Sequence, residues 1–200
     1  MAAASRSNRG LFHAVLLSLI LWPGTTFSQS ERSQGELQEL LKVKIRTVQH
    51  MALNPILIRA ARAQNSQGLS MQVITQRDDQ WRATKELTPL KIELQGNAAG
   101  RFLRENVRRL EAINEAFLTD AQGANVAAFP PTSDYWQGDE DKWSESFNEG
   151  DGRIHVGAIE LDESTQAYAA QISAPVFDRG RTIGVLVVGV TVNYLEEREK

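Results

Sequence analysis

Residues 132–143, which we call the aromatic–acidic segment, hold the densest group of side chains that could bind a small molecule. The segment reads TSDYWQGDEDKW and combines one tyrosine and two tryptophans with several carboxylates and an amide. Aromatic walls with a few placed polar groups are typical of pockets for small organic ligands. Tyr135 and Trp143 are candidates for such walls, and their O–H and N–H groups could donate to a ligand carboxylate. The alternative, a small core that pins the segment to the fold, stays equally open for both.

Two more residues of the aromatic–acidic segment could contribute to a site, and a third is predicted to have a structural role. Trp136 is retained as a ligand-binding candidate, although the role of a small core fits it better. Asp134 could hold the ammonium group of an amine ligand through a charge-assisted hydrogen bond. Asp139 is predicted instead to cap a short helix over residues 139–147, because an acidic residue there satisfies free N–H groups and the helix dipole.

Candidate site residues also occur further along the chain. Ser164 could lie at the mouth of a pocket, although a turn before the next strand explains it equally simply. Alternation along a strand at 165–177 separates Tyr168 from Gln171. The set that contains Tyr168 is more apolar, so Tyr168 is predicted to face the helices and the pocket, and Gln171 to lie on the surface. Arg153 could bind an anionic ligand.

Hydrophobic periodicity and breaking residues predict the elements that must position these side chains. Helical stripes cover about 31–65, where Asn54-Pro55 allows one kinked helix or two, and then about 71–85 and 97–111. The pattern then changes to strands: two within 115–129 around an Asp…Gly turn, and three at 153–160, 165–177 and 182–194. Helices followed by strands predict an α+β fold in which a long N-terminal helix packs on a five-stranded antiparallel sheet.

The N-terminal 28 residues are predicted to be a secretory signal peptide. Arg6 and Arg9 precede an apolar run at 11–22, and small residues precede a cleavage point after Ser28. The alternative is an uncleaved membrane anchor. After cleavage, residues 29–200 would form one domain, either periplasmic or secreted. Its fold would rely on packing, because the chain has no cysteine for disulfide bonds.

Composition and motifs exclude several functional classes. The formal net charge is −3, which argues against a nucleic-acid partner. The chain has no cysteine nucleophile, no Gly-x-Ser-x-Gly motif and no phosphate-cradling glycine loop. Its three histidines are not spaced as zinc ligands. We therefore expect no enzymatic activity, no cofactor and no bound metal.

The order of five sequence segments resembles that of a known sensor family. These segments are 117–127, the aromatic–acidic segment, 162–165, 171–178 and 183–189. Together they resemble extracytoplasmic Cache (PDC) sensor domains, here in a stand-alone, single-domain form. The resemblance implies a PAS-like sheet and a pocket between that sheet and the aromatic–acidic segment, which would take a small organic acid or an amino acid.

The resemblance also implies what such a domain would do. It would pass the binding signal to a separate partner, such as a membrane receptor or a kinase, and a dimer is possible. The alternative is a structural or protein-interaction module of the same fold that binds no ligand. A ligand-binding domain should enclose a cavity lined by Tyr135, Trp143 and Tyr168, whereas the interaction module should not.

Overall fold

The computed structural model describes the backbone of residues 29–162 and 167–191 and the side chains of 38–160 and 169–191. Its helices are α1 (Gln29–Ala52), α2 (Pro55–Asn65), α3 (Met71–Arg82), α4 (Pro89–Gly96), α5 (Ala98–Arg109) and α6 (Asp141–Phe147). Its strands are β1 (Ile113–Thr119), β2 (Asn125–Phe129), β3 (His155–Val156), β4 (Glu160–Asp162), β5 (Ala167–Asp178) and β6 (Arg181–Thr191). The predicted signal segment, residues 1–28, lies outside this range.

The helices follow from local capping chemistry. The predicted helical stretch at 31–65 is two helices, because the Asn54 side chain accepts from the Ile56 N–H and Pro55 begins α2. Thr88 and Pro89 begin α4 in the same way, a helix that the sequence analysis did not predict. Asn97 ends α4, and its side chain accepts from the Gly100 N–H to begin α5.

The sheet is antiparallel, and its strands run in the order β2-β1-β6-β5-β3, with β4 paired to β5 off this path. The predicted α+β class with an antiparallel, PAS-like sheet is therefore confirmed. The predicted third strand at 153–160 is instead two short pieces, β3 and β4. The predicted turn at 178–180 is confirmed, because Arg179 and Gly180 both have positive φ and join β5 to β6 tightly.

The main core lies on one face of the sheet, which we call the helical face. Helices α1, α2 and α5 cover it, and fully buried side chains such as Val48, Leu57 and Leu103 pack against Ile172 and Val188. A smaller cluster on the opposite face joins Phe117, Val185 and Val187 to α6. In the part of the chain that the structure describes, no helix has the length and apolarity to cross a membrane.

Candidate functional site

A cavity of about 980 Å³ lies on the face of the sheet opposite the helical face. Its floor is formed by Asn114 and Glu115 of β1, Gly189 of β6, and Ala169 and Gln171 of β5. One wall is the start of α6 with the residues before it, 139–142, and the other is the stretch 155–160 that contains β3. The size suits a small organic molecule.

A β-bulge builds the polar part of the floor. Along the β1–β6 pairing, Ile113 lies opposite Val190 and Glu115 lies opposite Gly189, so Asn114 is an extra residue on β1. A bulge of this kind turns neighbouring side chains toward the same face of a sheet. A methyl group added to Gly189 would lie 2.5 Å from Asn114 Oδ1 and 2.5 Å from Glu115 Cγ, so both side chains converge on this glycine.

Glu115 and Gln171 form a hydrogen-bonded pair across this floor. The Gln171 Nε2 donates to Glu115 Oε1 at 2.7 Å, and both side chains are half-buried. Gln171 lies directly opposite Gly189 in the strand register, which puts it on the cavity side. The prediction that Gln171 lies on the surface is therefore wrong, because Ile172 and Ala174 of the other set pack into the helical face, and the cavity is on the reverse side.

Two buried acceptors near the floor lack a hydrogen-bond partner among the described residues. Asn114 Oδ1 is one, and Ser173 Oγ, two residues beyond Gln171 on the same side of β5, is the other. Buried polar atoms are nearly always paired, so each unpaired one calls for an explanation. Neither oxygen has accessible surface, so neither can be reached from the cavity without a movement of the surrounding side chains.

The walls of the cavity are predominantly acidic. Carboxylates line it at Glu115, Asp139, Glu140, Asp141 and Glu160, whereas Lys142 and His155 are its basic residues. The Lys142 ammonium is already paired with Glu140, at 2.6 Å from Oε2, and lies 5.7 Å from the centroid of the Phe117 ring. The cavity therefore carries a negative field that favours positively charged groups.

Tyr135 lies in a separate cluster at the side of the sheet, away from the cavity. It is fully buried with Trp81 and Ile74 of α3, and its hydroxyl accepts from Arg77 at 3.2 Å. Burial raises the pKa of the Tyr135 hydroxyl, and Arg77 opposes that change. Neither Tyr135 nor Trp143 lines the cavity.

Helix α3 clamps the aromatic–acidic segment to the rest of the protein. The Asp78 carboxylate accepts from the backbone N–H groups of Tyr135 and Trp136 at 2.8 and 3.1 Å. The Trp81 indole donates to the Thr132 carbonyl at 2.8 Å. The Trp136 indole donates to the Gln122 carbonyl at 2.7 Å, which ties the segment to the β1–β2 turn. The small-core role that the sequence favoured for Trp136 matches these contacts.

The other predicted site residues are spread over several places. Trp143 stacks on Phe147 at 4.8 Å between ring centroids, within the helix that forms one cavity wall. Asp134 accepts from Ser133 and Gln137, and Arg153 is exposed and paired with Glu145. Ser164 lies outside the described residues. Tyr168 is on β5 opposite Leu161, but its side chain lies outside the described range.

Asp139 does not cap α6. The residue at the cap position is Glu140, without a side-chain hydrogen bond to the helix, and Asp139 is exposed at the cavity wall. The prediction of a capping role for Asp139 is wrong because the helix begins two residues later than expected. Among the described residues, no group of three or more His, Asp or Glu side chains is arranged to hold a metal ion.

Comparison with known proteins finds similarity in solved structures alone. No family model and no curated protein sequence matches the chain. The sensor domain of the V. cholerae histidine kinase DctB is 15% identical, with 84% of this chain and 57% of that chain covered and a TM-score of 0.48. The ligand-binding domain of the Pseudomonas fluorescens chemoreceptor CtaA, solved with L-serine, is 14% identical, with coverages of 82% and 57% and a TM-score of 0.44.

A third similar structure is the ligand-binding domain of the Pseudomonas aeruginosa chemoreceptor PctC, solved with GABA. It is 15% identical, with coverages of 82% and 64% and a TM-score of 0.42. The chain thus spans less than two thirds of the length of each of these structures. All three are sensor or ligand-binding domains of histidine kinases or chemoreceptors.

Proposed function

We propose that this protein is a ligand-binding sensor domain whose site is the cavity over Gly189. The observation that carries the proposal is the floor itself, where a bulge and a glycine lie beside the Glu115–Gln171 pair. Polar groups that converge on one point of a concave surface are typical of small-molecule sites. Glu115, Asn114 and Gln171 are the residues that we assign to ligand contact.

The proposed ligand is a small carboxylate or an amino acid, and the charges of the cavity favour the amino acid. An ammonium group would meet several carboxylates there, whereas a ligand carboxylate would find Lys142 and His155. A dicarboxylate would have to bring two negative charges into an already acidic site. Of the two ligand classes, small carboxylates and amino acids, the charges of the cavity therefore favour amino acids, because these carry an amine.

The aromatic–acidic segment would transmit ligand binding to the rest of the protein. Not all of its side chains would contact the ligand. It runs from the α3 clamp at Asp78 to Lys142 at the cavity wall. Trp143 lies in the wall helix, while Tyr135 would act through the clamp. Tyr168 and Ser164, which stand in the sequence between the cavity-lining residues Glu160 and Ala169, stay candidates. Arg153 and Asp134 are held by other side chains and would not contact the ligand.

Binding would favour one arrangement of this wall over others and so change the surface that a partner chain binds. We propose a periplasmic or secreted location after cleavage of residues 1–28, with a membrane receptor or kinase as the partner. No catalytic role is proposed for the cavity.

Thermal unfolding in the presence of amino acids and small organic acids tests the proposal. A ligand at about 100 times its Kd adds about 2.7 kcal/mol of stability, which is a rise of about 5–10 °C in Tm for a domain of this size. Gln171→Ala should reduce that rise for the bound compound. Arg153→Ala, on an exposed side chain outside the cavity, should leave it unchanged.

Two results would contradict the proposal. If no compound of the panel raises Tm, the interaction module without a ligand becomes the better account. If Arg153→Ala reduces the rise and Gln171→Ala does not, the domain binds a ligand, but in a different place.

A further inference from the structure

We infer that the outer side of the helix layer docks on an anionic phospholipid membrane, so that the protein lies there with its cavity facing the solvent. We call this outer side the basic surface; it consists of the exposed side chains of α1 from residue 38 onward, of α2 and of α5. The inference goes beyond the proposed function, because it concerns the opposite side of the molecule from the cavity.

Charge is distributed unevenly between the basic surface and the rest of the chain. The helical segments 38–52, 55–65 and 98–109 contain nine lysines and arginines and two glutamates, a surplus of seven positive charges in a chain whose net charge is −3. Seven of the nine basic residues are exposed, and the other two, Lys44 and Arg104, are half-buried. The cavity on the other side of the sheet is lined mainly by carboxylates. An anionic surface would therefore attract the helix layer and repel the cavity side.

Most positive charges of the basic surface lack an ion-pair partner. Lys42 pairs with Glu39 at 2.7 Å, and Arg62 pairs with Asp178 at 2.7 Å. The other seven lysines and arginines of this surface form no ion pair within the part of the chain that the structure describes. Positive charges that are not neutralised within the protein remain available to a negatively charged partner.

A groove between α1 and α5 gives the basic surface a place for a lipid headgroup. Its volume is about 390 Å³, and its lining combines basic residues of both helices, Arg46, His50 and Arg109, with apolar ones such as Val43. None of the residues that line it is acidic. Guanidinium groups bind phosphate oxygens through paired hydrogen bonds. Basic pockets between helices are a known way of holding anionic lipid headgroups.

Two features favour a lipid surface over a protein as the occupant. Protein interfaces depend on a few anchoring residues, often Trp or Tyr, and neither type occurs in 38–52, 55–65 or 98–109. A second copy docked through the same surface would bring two basic surfaces together, because a two-fold interface uses the same patch on both subunits. A continuous negatively charged plane matches positive charge that is spread over three helices and requires no such anchor.

Co-sedimentation with lipid vesicles tests the inference. Residues 29–200 contain every helix and strand of the structure, and using them keeps the apolar run at 11–22 from contributing to vesicle binding. We expect binding to vesicles of equimolar phosphatidylglycerol and phosphatidylcholine, and far weaker binding to phosphatidylcholine alone. Raising the ionic strength from about 0.15 M to about 1 M shortens the Debye length from about 8 Å to about 3 Å, so it should release most of the bound protein.

Substitutions then locate the docking surface. A double variant, Arg46→Gln with Arg109→Gln, removes two exposed charges from the groove. It should lower partitioning to the anionic vesicles about 25-fold, because each basic residue near such a membrane contributes about fivefold. The matched control, Lys85→Gln with Arg153→Gln, removes the same charge from exposed residues outside the basic surface. It should change partitioning less than about twofold, because charges far from the membrane are screened. The Tm of each variant shows that it is folded.

Three outcomes would overturn the inference. Equal binding to the two kinds of vesicle would show that attachment does not depend on lipid charge. Equal weakening by the groove variant and by its control would show that net charge, not the basic surface, determines binding. No binding to the anionic vesicles would leave an acidic protein as the better partner for this surface. Each of these outcomes leaves the proposed function intact, since that function is tested separately by the rise in Tm with a ligand.

Discussion

Tyr135 illustrates how one buried polar side chain links a local contact to the pH range over which the fold is stable. Burial raises the pKa of its hydroxyl above the ordinary value of 10.0, and the hydrogen bond from Arg77 offsets part of that rise. Above pH 10 the unfolded chain therefore loses its phenolic proton more readily than the folded one. Stability contributed by this group is complete below pH 10 and is lost as pH rises through the folded pKa.

We therefore predict that Tyr135→Phe flattens the alkaline loss of stability. The free energy of unfolding in urea, measured from pH 8 to pH 11.5, should fall less steeply above pH 10 in the variant than in the original protein. At pH 8 the variant should be about 0.5–1.5 kcal/mol less stable, because it lacks the hydrogen bond with Arg77. Parallel curves for the two proteins would mean that Tyr135 has the same pKa in both states.

For individual residues, the sequence predicted the chemical character of a segment better than it predicted which side chains line the cavity. The aromatic and acidic character of 132–143 was visible, and so was the alternative that its aromatic residues hold the segment in place. Asn114 and Glu115 were missed because the bulge that aims both at Gly189 arises from strand pairing. The available signal was the glycine within the apolar run 185–190, which leaves a gap on one face of a buried strand.

Among the elements, α3 is the one that fixes the aromatic–acidic segment. The buried Asp78 carboxylate accepts from two backbone N–H groups of that segment and also pairs with Arg82 at 3.0 Å. Its neighbour Asp79 is two-thirds exposed and pairs with the same arginine at 3.1 Å. The adjacent carboxylates of Asp78 and Asp79 thus share Arg82 as an ion-pair partner. Asp78 is buried and also accepts two backbone hydrogen bonds, whereas Asp79 is mainly exposed.

This difference predicts unequal effects of two alanine substitutions. Asp78→Ala should lower the free energy of unfolding by about 2–4 kcal/mol, because it leaves the buried Tyr135 N–H without an acceptor. Asp79→Ala should cost less than about 0.5 kcal/mol, as expected for an exposed ion pair. Urea unfolding of both variants measures this, and equal losses would show that the pairing with Arg82, not the clamp, provides the stability.

Elements were predictable from the sequence where local chemistry decides them. Asn54-Pro55 marked a helix boundary, and Asp178-Arg179-Gly180 marked the tight turn of the last hairpin. Helix α4 was missed because eight residues carry too little periodicity to be distinguished from a loop. The face of β5 that lines the cavity was assigned wrongly because alternation gives two faces without saying which one a helix layer covers.

Across the whole molecule, the paired strands β5 and β6 are packed far more closely than the outer wall of the cavity. This difference predicts which region unfolds locally at the lower free-energy cost. β5 and β6 are paired along most of their length, and residues 185–190 of β6 are all buried. The outer cavity wall depends on β3, which has two residues, and on exposed residues at 158–160. Segments with few buried contacts open at a lower free-energy cost than the core.

Hydrogen exchange should therefore report both the weak wall and its response to a ligand. In the free protein we expect the amides of 158–160 to exchange much faster than those of 186–190, which should exchange at the rate of global unfolding. A compound that raises Tm should slow exchange in 139–142 and 155–160 beyond the uniform change set by its effect on stability. Protection that appears in α1 and α5 instead would place the ligand on the helical face and remove the cavity as the site.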